Sequence, residues 1–166
     1  GEAGDQNIVD VHVAVKLARA KPNEDESNDF RVVDGDGRVT MPYQVGFSAD
    51  SVSPNNQNGT GNTITYTAAQ YNVGNHYNSS TGIFTCPVAG KYIVLHSHLT
   101  YSNGDGFYLK KNGTTIAVSY TSTTSWNQLA LTRVVDCAAN DTLKIVAGTT
   151  YLHSGYYGMF SIHLLG

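Results

Sequence analysis

Residues 66–96 read YTAAQYNVGNHYNSSTGIFTCPVAGKYIVLH, and the second half of this segment predicts the start of a β-sheet. Gly82–Cys86 and Lys91–Thr100 are rich in β-branched and aromatic residues, as strands are. Pro87 and Gly90 favour a turn between them, because proline fixes φ and glycine leaves it free. Side chains alternate along a strand, so one face should carry Phe84, Cys86, Tyr92, Val94 and His96.

The rest of the chain from residue 43 onwards also predicts short strands separated by polar turns. The strongest turn signal is Asn112–Gly113, a dipeptide typical of two-residue β-hairpins. Many short strands and a charged fraction of only 14% favour an all-β sandwich. The further predicted strands are Tyr43–Ala49, Thr63–Tyr66, Gly106–Lys111, Thr115–Tyr120, Asn127–Cys137, Thr142–Thr149 and Tyr156–Leu165.

The same segment resembles the signature of the complement C1q-like globular domain family. The matching residues are Tyr66, Asn72, Tyr77, Phe84, Gly90 and Tyr92, and the likeness extends to Val45–Ala49, Asn140–Leu143 and Phe160–Leu165. Val94 and His96 stand where the family usually has aromatic residues. The resemblance implies a ten-stranded jelly-roll sandwich of the C1q/tumour necrosis factor-like superfamily over residues 42–166, which assembles into trimers. In style it is closest to soluble molluscan C1q-domain lectins.

Residues 1–41 are predicted to form an N-terminal extension. Ile8–Ala20 fits either a strand or a short helical coil, because its apolar residues match both periods. Lys21–Asp29 is a polar, acidic linker. Phe30–Met41 predicts a small hairpin with its turn at Asp34–Gly37.

Composition limits the function classes. The net charge is −3, so the chain has no excess of positive charge that would attract nucleic acid. No run of apolar residues is long enough to cross a membrane. The two cysteines, Cys86 and Cys137, occupy apolar strand positions, so buried free thiols are favoured over a disulfide bridge. Four N-x-S/T sequons predict a secreted glycoprotein, at Asn58, Asn78, Asn112 and Asn140.

The sequence contains no complete catalytic or metal-binding motif. We therefore expect no enzyme activity. His96 and His98 could face one ion, but a zinc site needs a third ligand, so packing or interface roles are favoured. The DGDG run at Asp34–Gly37 begins like a calcium loop but lacks the closing glutamate. No cofactor is required, and calcium binding is implied by the family resemblance alone.

Strand counting predicts which loops share an end of the sandwich. Neighbouring antiparallel strands alternate in direction, so Tyr101–Asp105, Thr121–Trp126 and Thr150–Gly155 should lie together. The turns at Asn112–Gly113 and Ala138–Asp141, with their sequons, should lie at the other end, beside the C-terminus. The aromatic and polar residues in the loops of the first end indicate a ligand site. A simpler explanation for the tyrosines among them is that tyrosine is abundant throughout the chain. The candidate residues are Tyr101, Asn103, Asp105, Trp126, Tyr151, His153 and Tyr156.

These expectations favour a secreted homotrimeric lectin of innate immunity that binds glycans, sialic acid included, on cell or microbial surfaces. Two alternatives remain open, an extracellular matrix or biomineral assembly protein and a cerebellin-like ligand for a cell-surface receptor. His96 and His163 stand where the family commonly has aromatics. If both face the contact between copies, protonation would weaken the trimer.

Overall fold

The computed structural model describes residues 32–33, 39–40, 44–50, 60–102, 105–148, 151–153 and 155–166. The chain divides into two compact units, Gly1–Tyr43 and Gln44–Gly166. In the first unit β1 (Val32–Val33) pairs antiparallel with β2 (Val39–Thr40), as the hairpin prediction requires. The predicted turn Asp34–Gly37, the segment Ile8–Ala20 and the linker Lys21–Asp29 lie outside the described residues.

The second unit is built from two antiparallel sheets, and none of its described residues is α-helical. We call them the β7 sheet, in the order β10-β7-β13-β3-β4 with β12 beside one end of β7, and the β8 sheet, in the order β5-β6-β11-β8-β9. The strands are β3 (Gly46–Asp50), β4 (Ala68–Val73), β5 (Tyr77–Asn78), β6 (Ile83–Thr85), β7 (Gly90–Ser102), β8 (Asp105–Lys111), β9 (Thr114–Thr121), β10 (Ser125–Cys137), β11 (Thr142–Ala147), β12 (Tyr151–Leu152) and β13 (Gly158–Leu164). The all-β sandwich prediction is therefore confirmed.

One predicted strand is wrong. Thr63–Tyr66 makes only an isolated bridge, between Thr63 and Val146, and a strand forms later, at Ala68–Val73. The backbone N–H of Tyr66 donates to the Tyr77 hydroxyl over 2.9 Å instead of to a neighbouring strand. This segment therefore crosses from the β8 sheet, where Thr63 bridges to the central strand β11, to β4 at the edge of the β7 sheet.

Residues that the sequence places on one strand face line the core between the sheets. Phe84, Cys86, Tyr92 and Val94 are 0% exposed and His96 is 2% exposed, which confirms the predicted alternation. At the centre, Phe47 stacks on Tyr77 with ring centroids 4.2 Å apart and meets Phe160 edge-on at 5.1 Å. Burial of these large rings contributes to the hydrophobic stabilisation of the core.

Two polar or small residues of the signature segment have direct structural roles. The Asn72 carboxamide donates to the Tyr77 carbonyl over 2.8 Å and accepts from the Tyr77 N–H over 3.2 Å, which closes the turn between β4 and β5. A β-carbon at Gly90 would lie 2.9 Å from Leu164 and 3.0 Å from the Gly166 carbonyl oxygen. Glycine is required there because the end of the chain packs against the start of β7.

The outer face of the β7 sheet carries few charges. Between Lys91 and Tyr101 the outward side chains of β7 are Ile93, Leu95, Ser97 and Leu99, all half-buried. Their neighbours across the strand pairs are Val134, Thr132, Ala130 and Gln128 on β10 and His163, Ser161 and Met159 on β13. Of all these, His163 alone can ionise, so most of this surface, which we call the outer face, is uncharged.

An exposed aromatic row at one end of the sandwich

Strand pairing places three aromatic residues side by side at one end of the β7 sheet. On one side of β7, Trp126 of β10 lies directly opposite Tyr101. On the other side, Tyr151 of β12 also pairs with Tyr101. Directly opposed side chains in antiparallel strands are close enough to touch, so the three rings form a line across the sheet.

Ring contacts extend this line by two more residues. The centroid of the Tyr101 ring lies 5.6 Å from that of Trp126 and 6.2 Å from that of Tyr151. The Trp126 ring lies 5.5 Å from His153, whose ring lies 4.1 Å from Tyr157. We call these five residues the aromatic row.

The row is open to solvent in the single chain. Trp126, Tyr151 and Tyr157 are about half exposed, at 51%, 52% and 51%, and Tyr101 is 37% exposed. Aromatic rings usually bury most of their area, so a cluster of exposed rings in mutual contact marks a surface that can bind something.

The structure brings together most, but not all, of the site residues named from the sequence. Tyr101, Trp126, Tyr151 and His153 meet in the row, and the predicted sharing of one end by their loops is confirmed. Tyr156 is 94% exposed and Tyr157 occupies the place beside His153 instead. Asn103 lies outside the described residues, and Asp105 is described only through its backbone pairing with Thr121.

Tyr157 was missed because the sequence predicts a continuous strand from Tyr156. The structure instead has a single turn of 3-10 helix over Gly155–Tyr157 before β13 begins. With three residues per turn, this helix directs Tyr156 to solvent and Tyr157 back onto His153. Gly155 has φ 74°, a left-handed conformation that other residues adopt at a cost.

The polar side chains that form hydrogen bonds beside the row are uncharged. The Asn127 carboxamide donates to the Ser125 carbonyl over 2.8 Å and accepts from the Thr123 hydroxyl over 3.2 Å. Gln128 donates to the Tyr157 carbonyl over 3.3 Å. Among the described residues at this end, none is a lysine or arginine.

A buried hydrogen-bond chain runs beneath the row. His98 contacts the His153 carbonyl through Nε2 at 2.9 Å and the Tyr66 hydroxyl through Nδ1 at 3.3 Å. Nε2 of His96 lies 2.9 Å from the same hydroxyl. A carbonyl oxygen only accepts, so His98 carries its hydrogen on Nε2, Tyr66 donates to Nδ1, and His96 donates to Tyr66.

This order leaves one lone pair without a partner, because His96 Nδ1 is buried and has no hydrogen bond. Burial is the main cause that lowers the pKa of His96 to about 3, and the nearby His98 lowers it further. Burial also lowers the pKa of His98 to about 4. Both rings are therefore neutral. The hypothesis that His96 faces a contact between copies is wrong, since the ring lies inside the core.

The segment that carries Tyr151 and His153 is held by side chains from the core. Thr100 donates to the Tyr151 carbonyl over 2.8 Å, and His98 donates to the His153 carbonyl. The backbone N–H of His153 also donates to the Leu99 carbonyl over 3.0 Å. These bonds fix the backbone between two rings of the row, so the row is supported from below.

The opposite end of the sandwich is polar and carries two of the sequons. The Asn112 carboxamide donates to Asp141 over 2.7 Å and accepts from the Thr142 N–H over 2.8 Å. Lys111 forms an ion pair with Asp141 at 2.8 Å. These contacts confirm that the turns at Asn112 and Asn140 share an end. Asn78 is exposed on β5, and Asn58 lies outside the described residues.

Within the described part of the chain, no three His, Cys, Asp or Glu side chains gather in a way that could hold a metal ion. The DGDG run lies outside the described residues. In the same described part, no helix has the length and apolar character needed to span a membrane.

Two antiparallel sheets packed in this order define the jelly-roll sandwich shared by C1q and tumour necrosis factor domains. The globular domain of zebrafish complement 1qA protein superimposes with a TM-score of 0.62 at 17% identity, covering 74% of this chain and 98% of that one. Eiger TNF from S. frugiperda gives 0.62 at 12% identity, covering 74% and 93%. Murine APRIL gives 0.58 at 13% identity, covering 74% and 99%.

The model of the C1q domain family matches residues 46–165, so this chain belongs to that family. No curated protein matches the chain. The predicted jelly-roll architecture is confirmed.

Proposed function

We propose that this chain is a secreted, non-enzymatic recognition protein of innate immunity that binds glycans through the aromatic row. The observation that carries the proposal is the row itself, a set of exposed rings in contact with one another and supported by the core. Aromatic faces stack on the apolar faces of sugar rings, while phenol hydroxyls and the indole N–H bond to sugar hydroxyls. Exposed loops on a rigid sheet are a common setting for such sites.

The uncharged surroundings of the row bear on which sugars it would hold. An acidic sugar such as sialic acid presents a carboxylate, which Ser, Asn, Tyr or backbone donors would have to bind. Hydrogen bonds from uncharged donors are weaker than those from Arg or Lys. We therefore expect each row to bind one sugar chain with modest affinity.

Assembly would compensate for weak single sites. The outer face is apolar along the middle of β7, with Ile93 and Leu95 half-buried and Val134 51% exposed in the single chain. Covering such a surface is favourable, and a homotrimer would cover it three times around one axis. The rows of the three copies would then lie at the same end of the assembly, which raises the effective concentration on a dense glycan surface.

The experiment compares two double variants on a glycan array and on glycan-coated beads. Trp126→Ala/Tyr151→Ala removes two rings of the row, while Val118→Ala/Tyr120→Ala removes side chains of similar exposure, 50% and 59%, from β9 of the other sheet. The proposal requires wild type and the β9 variant to bind and the row variant to lose binding while still folded. Full binding by the row variant would show that the site lies elsewhere, and no binding by wild type would refute the lectin function.

A protein ligand is the second candidate, because Tyr and Trp are also the residues that dominate protein–protein contacts. A chain that binds no glycan but binds a cell-surface receptor through the same row would be a receptor ligand of cerebellin type. A matrix or biomineral protein would instead aggregate in the presence of calcium.

A further inference from the structure

The chain has two cysteines, and the backbone of Cys86 is hydrogen-bonded to the turn that directly follows Cys137. Cys86 is 0% exposed and Cys137 is 3% exposed, and in this structure both are free thiols whose side chains interact with each other. We infer that Cys86 and Cys137 form an intrachain disulfide when the protein folds in an oxidising compartment, and that this bond joins the two sheets.

Backbone contacts hold the two residues together independently of the sulfur atoms. Both backbone groups of Cys86 bond to the turn that follows Cys137. Its carbonyl accepts from the Asn140 N–H over 2.7 Å, and its N–H donates to the Asp141 carbonyl over 2.8 Å. The turn itself is closed by Ala138, whose N–H donates to the Asp141 carboxylate over 2.8 Å. The contact between the thiols is therefore set by the fold.

The surroundings suit a disulfide better than the other uses of paired thiols. A structural zinc site needs four ligands, and no third Cys, His, Asp or Glu among the described residues joins this pair. Two thiols at unrelated positions would rarely meet in the core by chance, whereas a disulfide requires the pair to be adjacent.

Formation of the disulfide requires an oxidant, such as oxidised glutathione or a disulfide oxidoreductase, to accept the two electrons. One thiolate attacks a sulfur of the oxidant and forms a mixed disulfide. The second thiolate then displaces the oxidant's thiol, so two protons and two electrons leave the pair and one S–S bond forms. Burial raises the pKa of the Cys86 and Cys137 thiols, so in the folded chain the thiolate is scarce. The bond therefore forms during folding, before the core closes.

The bond would link the β8 sheet to the β7 sheet. Cys86 directly follows β6 of the first, and Cys137 ends β10 of the second. It would also close a long loop that contains β7, β8, β9 and β10, and cross-links that close long loops restrict the unfolded chain strongly. The oxidised chain should therefore resist denaturant at concentrations that unfold the reduced chain.

The test is alkylation with iodoacetamide in guanidinium without reductant, followed by intact mass measurement. Protein refolded in a glutathione redox buffer should take up no label, and should take up two labels after reduction. Cys86→Ala serves as the matched control, because its single thiol cannot form the intrachain bond and without reduction carries either one label or one glutathione, which the intact mass distinguishes. Two labels on the unreduced wild type, or a covalent dimer on a non-reducing gel, would overturn the inference. These readouts do not involve ligand binding, so they stand apart from the lectin proposal.

Discussion

The hydroxyl of Tyr66 lies 2.9 Å from Nε2 of His96, and both side chains are buried in the core. Polar groups buried this deeply are usually fully hydrogen-bonded, yet His96 Nδ1 has no partner. The C1q domain of this chain thus contains two neutral histidines, His96 and His98, where a proton would find no acceptor and little solvent. This arrangement makes stability depend on pH.

The first prediction is that the domain loses stability as the pH falls below about 6.5. In the unfolded chain both histidines take up protons near that value, whereas the folded pKa values are about 3 for His96 and about 4 for His98. Each histidine therefore contributes stability that is fully present above pH 6.5 and is lost as the pH falls towards its folded pKa, by about 1.4 kcal/mol per pH unit. Denaturant unfolding at pH 7.5 and pH 5 measures the loss.

A matched variant identifies the source of this loss. His96→Phe keeps an aromatic ring among Tyr66, His98 and Phe107 and removes the unpaired nitrogen. The variant should be at least as stable as wild type at pH 7.5 and should lose less between pH 7.5 and pH 5. An unchanged pH dependence would place the sensitivity in other groups.

The second prediction concerns assembly through the outer face. Leu95→Asp places a charge in the middle of the apolar surface of β7, where a contact between copies would bury it, so the trimer should dissociate. Val118→Asp adds the same charge to an exposed strand of the other sheet and should leave the trimer intact. Light scattering gives both masses. A monomeric wild type at micromolar concentration would refute the trimer.

The third prediction distinguishes two neighbouring tyrosines. Tyr157→Ala removes a ring that packs on His153 and should weaken glycan binding, since it takes away part of the row. Tyr156→Ala removes a ring that is 94% exposed and should leave binding nearly unchanged. Titration on glycan-coated beads compares them. Equal loss in both variants would mean that the turn as a whole matters and not the row.

The fourth prediction uses Trp126, the single tryptophan of the chain, as a reporter. Its side chain is 51% exposed, so its fluorescence should be quenched by acrylamide in the assembled protein. A bound glycan that stacks on the indole should shift the emission to shorter wavelength and protect it from quenching. Protection before any ligand is added would mean that the assembly already covers the row, and the site assignment would fail.

The fifth prediction concerns the close approach of two strands. A β-carbon at Gly106 would lie 1.7 Å from the Ser119 carbonyl oxygen, so Gly106→Ala must push β8 and β9 apart and should cost more than about 2 kcal/mol. Gly113→Ala meets no atom within 4 Å, and its cost comes only from a φ of 83°, about 1 kcal/mol. Urea unfolding ranks the two. The reverse order would contradict the account.

Much of this fold could be predicted from the sequence because alternation and turn chemistry are local. The pattern around Phe84 and Tyr92 predicted both the strands and the face they bury. Counting the alternating directions of the strands predicted that Trp126 and Tyr151 share an end, because neighbouring antiparallel strands run in opposite directions.

What the sequence did not predict depends on contacts between distant residues. The place of Tyr157 depends on one 3-10 turn, and the role of His96 depends on the Tyr66 hydroxyl that meets it across the core. The contact between Cys86 and Cys137 likewise exists only once both sheets are packed. No short-range pattern contains such information.

The position of β13 has a consequence for the order in which the chain folds. It lies between β3 and β7, with Ser161 donating to Ser48 over 2.7 Å, although β3 and β13 stand near opposite ends of the domain in sequence. While the ribosome is still adding residues 103–157, β3 and β7 are already made but lack the neighbour that lies between them. Pairings between distant residues form slowly, and unpaired edges exposed meanwhile favour aggregation. The β7 sheet can therefore close only after synthesis has passed Leu164, which makes its completion a late step in the folding of this domain.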